Sequence, residues 1–540
     1  MWGIREISPP NLPPHRSEGL LRTMETLTVL VVAVAVVVKI LFGFKTRTSK
    51  TSIRVLHGPP CPSLLLGHEL ELRAQPTVGG LETAWQKTYG NTFRIGGCFA
   101  QNILMTSDPK AIQHILRSSG YRYPKTKDIA HLWEMMVGKG LLATADSAHQ
   151  RQRKILNPAF SSSQLREYLS VFRATGIKIS GKFRELVSQG PMETNLLQWT
   201  NRAALDIVGI TSFRCDFGAL DGKSSELADI SKSTFTALSN IGPTPSLILF
   251  PTLWRFLPKG LLSIIDRAPS RQIQILHQFR NIAKKTAHQV LTNIPRDTSK
   301  DIVNLLAIAS DEMLMDEDEV LSQLANFTLA GEDTTAAAMA WTLYELSRRP
   351  DYQARVREEI RSQPVDFDST PLLNAAINES LRLHPIMYSI SRYTVDDDII
   401  PLNEAIRTRR GEIWNEVPVG KGQMVMISVY AYNRLPSVWG DNPDEWQPER
   451  FLRPEEKDRI SVGLHANLLN FSDGVYGCIG WKYRLLQVQA ILVELLKSFE
   501  FLDSGVELLN GVAGPSLMPI VRGRELEGVQ LPVIVRALSL

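Results

Sequence analysis

One stretch restricts this chain more than any other: Phe471-Ser472-Asp473-Gly474-Val475-Tyr476-Gly477-Cys478-Ile479-Gly480. It sets one cysteine among glycines, just ahead of a helical pattern from Trp481 to about Phe499. A thiolate presented this way is either a nucleophile or a metal ligand. The stretch supplies no base for a nucleophile, and no second cysteine is near enough for a zinc pair. What remains is a lone axial ligand to iron; on haem, a cysteine thiolate pushes electron density that favours O–O cleavage. Gly474 and Gly480 can take backbone angles closed to other residues and let the chain approach a flat macrocycle. The helix beginning near Cys478 offers free N–H groups and a positive dipole end, which favour the ionised sulfur.

The rest of the composition removes the competing classes. The four cysteines (Cys61, Cys98, Cys215, Cys478) are widely scattered, so there is no disulfide framework and no zinc cluster. None of the ten histidines falls in a His-Glu-x-x-His pair, so any metal arrives inside a cofactor. A net charge of +4 over 540 residues gives no reason to expect nucleic acid.

Leu27 to Phe44 is apolar except for Thr28 and Lys39. At about 18 residues it just reaches the length of a spanning helix, and Lys39 can snorkel to the nearer interface. Lys45, Arg47, Lys50 and Arg54 follow it with no acid among them, which places everything after the helix in the cytoplasm. A cleaved signal peptide is the rival reading, with Ala33-Val34-Ala35 as the small-residue site, but the apolar run continues past it. His57-Gly58-Pro59-Pro60-Cys61-Pro62 then stiffens a linker.

Further on, Thr92-Phe93-Arg94-Ile95 and Asn102-Ile103-Leu104-Met105 alternate around Gly96-Gly97 and predict a hairpin. His149-Gln150-Arg151-Gln152-Arg153-Lys154 by itself describes a solvated helix face; His149 and Arg153 share one side of it. Ser246 to Ile265 is unusually apolar and broken by Pro251 and Pro258. Asp316 to Arg349 is the longest helical pattern, acidic at its start, basic at its end and stopped by Pro350. It predicts a rod on the order of 45–50 Å. In its middle, Ala330-Gly331-Glu332-Asp333-Thr334-Thr335 is a poor helix former. A threonine hydroxyl bonding back to the chain would bend the helix there and open a groove; a polar kink of this kind needs no chemistry. Glu379 and Arg382 share a helix face and mean little alone. They are followed by Leu383-His384-Pro385 and later by Pro448-Glu449-Arg450-Phe451. Leu517–Arg522 and Leu531–Val535 predict a terminal strand pair.

Together and in this order, these motifs resemble the cytochrome P-450 superfamily of haem-thiolate monooxygenases, over about residues 57 to 540. The family's ligand loop, Phe-x-x-Gly-x-Arg-x-Cys-x-Gly, is met by Phe471, Gly474, Cys478 and Gly480, with Tyr476 at the Arg position. Its oxygen-activation motif, Ala/Gly-Gly-x-Asp/Glu-Thr-Thr, is met throughout. The resemblance implies Cys478 as the axial ligand of haem b, Asp333 and Thr334 relaying protons to dioxygen, and Gly331 leaving room for the oxygen. It implies Arg153 and Arg392 at the haem propionates, with His149 where a Trp is usual, and a buried structural triad of Glu379, Arg382 and Arg450. A buried triad of this kind holds only if its remaining donors are satisfied.

The implied fold is mainly α with small β-sheets, preceded by a transmembrane helix. The divisions are an N-terminal segment (1–25), an anchor (26–44), a basic and proline-rich hinge (45–63) and a haem-thiolate catalytic domain (64–540). Ser246 to Ile265 is either core or, by resemblance, a substrate entrance at the membrane surface. With no flavin or dinucleotide fingerprint in the chain, electrons are expected from a separate NADPH-dependent flavoprotein reductase. Cys478-Ile479-Gly480-Trp481-Lys482-Tyr483 and Asn157-Pro158-Ala159-Phe160 look most like fungal microsomal members. This implies a single-pass protein of the endoplasmic reticulum oxidising a small apolar substrate, such as a terpenoid or other specialised metabolite.

Tyr476 and His149 depart from the pattern and weaken two propionate contacts, so haem is expected to bind more loosely than usual. Two other classes stay open at this point: a haem protein with impaired oxygen activation, and a haem-thiolate isomerase or dehydratase. The intact Asp333–Thr334 pair argues against both.

Overall fold

The computed structural model describes residues 53–538 apart from 224, 228, 232–243, 258–261, 263–270, 294–296, 363–368, 454–459 and 514–515. The apolar run Leu27–Phe44, the segment before it and the first part of the basic hinge lie outside the described residues. Among the described residues, no helix is long and apolar enough to cross a membrane.

Helices dominate, and they assemble around one that is covered on every side. In Asp333–Ser347, each side chain from Thr335 to Ser347 is buried, as expected of a helix with protein on all faces. The helices Leu196–Phe213, Pro371–Leu383 and Trp481–Ser498 pack on it, and the last also lies along Ser162–Leu186. Local chemistry sets where these helices start. Asn195 accepts from the Leu197 N–H at 3.2 Å. Asp316 and Glu319 form a reciprocal capping box at 2.7 and 3.1 Å.

The long rod predicted from Asp316 to Arg349 is two helices, Glu317–Gly331 and Asp333–Ser347, meeting at Glu332. The reason lies in the weak helix formers at that point and in a hydroxyl that competes for the ladder. Thr334 Oγ1 donates to the Ala330 carbonyl at 2.7 Å.

Strands β1 (Thr92–Gly96) and β2 (Asn102–Thr106) form the predicted hairpin, with Thr92 opposite Thr106. The other strands are β3 (Met192–Asn195), β4 (Ser389–Tyr393), β5 (Asp398–Arg407), β6 (Ile413–Val419), β7 (Met424–Ser428), β8 (Phe499–Asp503), β9 (Leu508–Ala513), β10 (Ser516–Val521) and β11 (Pro532–Ala537). They give a four-stranded sheet β1-β2-β7-β4, a three-stranded sheet β3-β11-β8, and the pairs β5-β6 and β9-β10. The two C-terminal runs therefore do not pair as strands with each other. β10 folds back on β9, the partner nearest in sequence, for which chain closure is cheapest. β11 lies between β3 and β8, beside the buried Phe499 and Phe501.

In the apolar segment from Ser246 on, Ile248, Leu249, Leu253, Trp254, Leu257 and Leu262 are buried in a cluster with Met135, Phe279 and Leu324. For these residues the core reading holds.

Candidate active site

The cysteine loop is pinned by short-range bonds. Cys478 N–H donates to the Phe471 carbonyl at 2.8 Å. Asp473 accepts from Gly474 N–H at 2.7 Å and Gly463 N–H at 2.9 Å, and pairs with Arg117 at 2.9 Å. Gly474 has φ +62°, and a Cβ there would lie 1.8 Å from the Leu116 carbonyl oxygen. Only glycine fits, and the close approach that demands it is to the chain at Leu116. Gly480 has an ordinary φ of −94°, and a Cβ there would meet Phe160 at 3.5 Å, an ordinary contact. No special backbone angle is in use at Gly480; it directly precedes the helix, which starts at Trp481. Cys478 is exposed, although protein atoms surround it closely. Burial pushes its thiol up, while the Gly480 N–H and the charges of Arg484 and Arg153 favour the thiolate.

The break between the two central helices supplies the acid and the alcohol. Burial holds the Asp333 carboxyl above the usual range; the Glu332 carboxyl is raised by burial and by the charge of Asp333. Ser231 donates to Glu332 at 2.6 Å. At Gly331 the space a Cβ would take is filled by Val208 Cγ2, 2.8 Å away. Close packing against Leu196–Phe213 is one use of this glycine. Arg484 Nη2 donates to the Thr334 carbonyl at 2.8 Å and so joins this break to the helix that follows Cys478.

Beside the loop lies a group of cations. Arg153 Nη1 bonds the carbonyls of Gly477 and, at 3.4 Å, Val475. Lys125 and Arg392 are brought together by a backbone bridge. Lys125 Nζ lies 4.8 Å, and the Arg392 guanidinium carbon 5.4 Å, from the centre of the Tyr476 ring. His149 is buried and its Nδ1 lies 3.0 Å from the Tyr121 hydroxyl. Burial, reinforced by the neighbouring positive charges, brings the Lys125 amine down to about 7 and His149 to about 3. Burial lowers Arg392 to about 10.

Among the described residues, none of Lys125, Arg153 and Arg392 pairs with a carboxylate. Arg392 Nε and the Tyr476 hydroxyl are buried without a well-formed hydrogen bond. A partly buried cluster of cations that pairs with no carboxylate, with one buried donor left over at Arg392, is complete only with an anion. The two carboxylates of haem satisfy it, so the residues present fit that group.

Lys125, Tyr121 and Arg484 escaped the sequence reading. Lys125 sits in an irregular stretch after Pro124, and its role depends on a strand bridge almost 270 residues away. Arg484 reads as one more polar residue of a helix.

The structure brings Glu379, Arg382 and Arg450 together. Arg382 is bidentate on Glu379 at 2.7 and 2.8 Å, with both side chains wholly buried. Arg450 Nε lies 3.4 Å from Glu379, and its other nitrogens bond the carbonyls of Trp439 and Asn442. Arg382 spends its remaining donors on the carbonyls of Asn433 at 2.7 Å and Glu445 at 3.0 Å, which is the satisfaction a buried ion pair requires.

Comparison with known proteins identifies the family. The family model "Cytochrome P-450" matches residues 56–520. Cytochrome P-450 monooxygenase claQ of Ampulloclitocybe clavipes is 30% identical over 504 residues, covering 89% of this chain and 92% of its own. Cytochrome P-450 monooxygenase 128 of Postia placenta is 31% identical over 520 residues, covering 90% and 92%.

Proposed function

Because the chain belongs to the cytochrome P-450 family and is, like its relatives, an oxygen-incorporating oxidoreductase, we propose that Cys478 is its iron ligand. Haem bound to a cysteine thiolate supplies the oxygen-activating iron. The chain's own residues do the rest. Lys125, Arg153, Arg392 and the Tyr476 hydroxyl would hold the two propionates. Arg153 meanwhile holds the loop through the Gly477 carbonyl. The Thr334 hydroxyl and the Asp333 carboxyl hold and pass protons at the helix break. A carboxyl raised by burial keeps its proton closer to neutral pH, which suits that task. Cys478 and this break, joined through Arg484 beside cations that pair with no carboxylate, are the observation that carries the reading.

The finer assignment rests on resemblance and on the N-terminal sequence. Leu27–Phe44 anchors the protein in the endoplasmic reticulum, the hinge leads out of the membrane, and the catalytic domain (64–540) faces the cytoplasm. A separate NADPH-dependent flavoprotein reductase supplies electrons one at a time. The substrate is a small apolar molecule, with terpenoids the first class to screen. The test is incubation of membranes carrying the protein and a reductase with NADPH, labelled O2 and a terpenoid panel. Incorporation of one labelled atom supports the reading. NADPH-dependent haem reduction with no labelled product from any apolar class contradicts it.

A further inference from the structure

Arg484 is in an unfavourable place for a cation. It stands in the first turn of Trp481–Ser498, its N–H bonded to the Gly480 carbonyl at 2.9 Å. That turn is the positive end of the helix dipole, and the side chain is buried. Among the described residues no carboxylate pairs with it. Its Nε is buried without a partner. Nη2 reaches the Thr334 carbonyl at 2.8 Å. The guanidinium carbon lies 5.2 Å from the centre of the Phe471 ring, and Phe471 is the residue whose carbonyl receives the Cys478 N–H. A buried cation without an anion is strongly unfavourable. Of the acidic side chains Asp473 and Cys478 in the cysteine loop that Arg484 lies against through Phe471, Asp473 is already paired with Arg117, which leaves the Cys478 sulfur as its counter-charge.

We propose that Arg484 is a positioning residue that acts through Cys478: its guanidinium stabilises the thiolate, withdraws electron density from it and raises the reduction potential of the iron it holds. The same group fixes the backbone of Thr334, so one side chain sets both the electron demand at the sulfur and the place of the proton-carrying threonine. The physical basis is simple. Adding one electron makes the site one unit more negative, and a buried cation in a low dielectric favours that state over the oxidised one. This rests on the reading of Cys478 as the iron ligand.

The rival account is a mere tie between two helices. Two variants of the full-length, membrane-bound holoenzyme separate the accounts. Arg484→Gln keeps a donor for the Thr334 carbonyl and loses the charge; Arg484→Lys keeps the charge. The ferric/ferrous potential is measured by spectroelectrochemical titration, and the carbon monoxide stretching frequency by infrared absorption. Arg484→Gln is expected to shift the potential negative and lower the stretching frequency, with Arg484→Lys close to the parent. Potentials and frequencies unchanged in Arg484→Gln, or moved equally by both substitutions, overturn the proposal. If Arg484→Gln does not retain haem, Arg484→Met, similar in length and uncharged, gives the same comparison. A parent protein lacking a thiolate-type carbon monoxide spectrum would instead sink the reading of Cys478, so the two failures are distinct.

Discussion

The rings of His149 and Tyr476 lie 4.7 Å apart between centroids and are inclined by 53°. Tyr121 completes the group, 5.4 Å from Tyr476 and hydrogen-bonded to His149. This aromatic trio occupies ground where the family's pattern has a tryptophan and an arginine. Positive charge comes from Lys125, beside the Arg392 that the pattern also has, and both lie near the Tyr476 ring.

Tyr476→Arg tests what that exchange costs. A hydrogen bond to a charged group contributes roughly 1.5–3 kcal/mol and a neutral one less, so the variant is expected to lose haem roughly ten-fold more slowly. The haem-free variant is expected to be less stable than the parent, since a further cation joins Lys125, Arg153 and Arg392. Transfer of haem to an acceptor protein and paired melts of holo- and apoprotein give both numbers. Unchanged haem loss would remove Tyr476 from the site.

Lys125→Met is expected to speed haem loss about ten-fold, by the same charged-bond magnitude. The amine also carries a pH signature. Its folded value of about 7 lies below the ordinary lysine value. Between the two, the unfolded chain binds a proton that the folded chain does not, so apoprotein stability rises with pH across that window. The slope is on the order of 1 kcal/mol per pH unit above about 7. Denaturant melts of haem-free protein from pH 7 to 9 measure it, and Lys125→Met flattens it.

Glu379→Ala leaves the wholly buried Arg382 without its anion. Breaking a buried pair from one side costs about 3–5 kcal/mol, a large part of a domain's stability. The expected outcome is little folded, haem-containing protein. Arg450→Ala is milder, because Arg450 touches Glu379 only at 3.4 Å and bonds carbonyls otherwise. Haem content per unit of expressed protein gives the comparison.

Asp333→Asn and Thr334→Ala leave the fold and the carbon monoxide spectrum intact, since neither side chain holds the cysteine loop. Both are expected to lower product formed per NADPH consumed; Asp333→Asn is expected to slow it roughly 100-fold, the scale of a lost general acid. In the parent, product formation falls as pH rises through the raised Asp333 value, with Glu332 and its Ser231 bond facing the same region. The asparagine variant loses that dependence.

Local features were the legible ones. The β1–β2 hairpin, the acidic helix start at Asp316 and the bend at Thr334 follow from residues a few positions apart. The cysteine loop was legible for the same reason, although Gly474 is required by the close approach of Leu116, a contact no local pattern announces. What escaped depends on chain brought in from afar. Lys125 joins the site through its bridge to Arg392, and β11 finds β3 and β8 although β10 is nearer in sequence. Arg484 was hidden differently: its position in a helix was plain, but its burial toward Thr334 was not.

The most direct test of the central claim is the carbon monoxide difference spectrum of the reduced, membrane-bound protein, recorded beside Cys478→Ala. The account predicts a thiolate-type, red-shifted band in the parent and its loss in the variant. A band typical of a neutral ligand, no band, or an unchanged band in Cys478→Ala would contradict it.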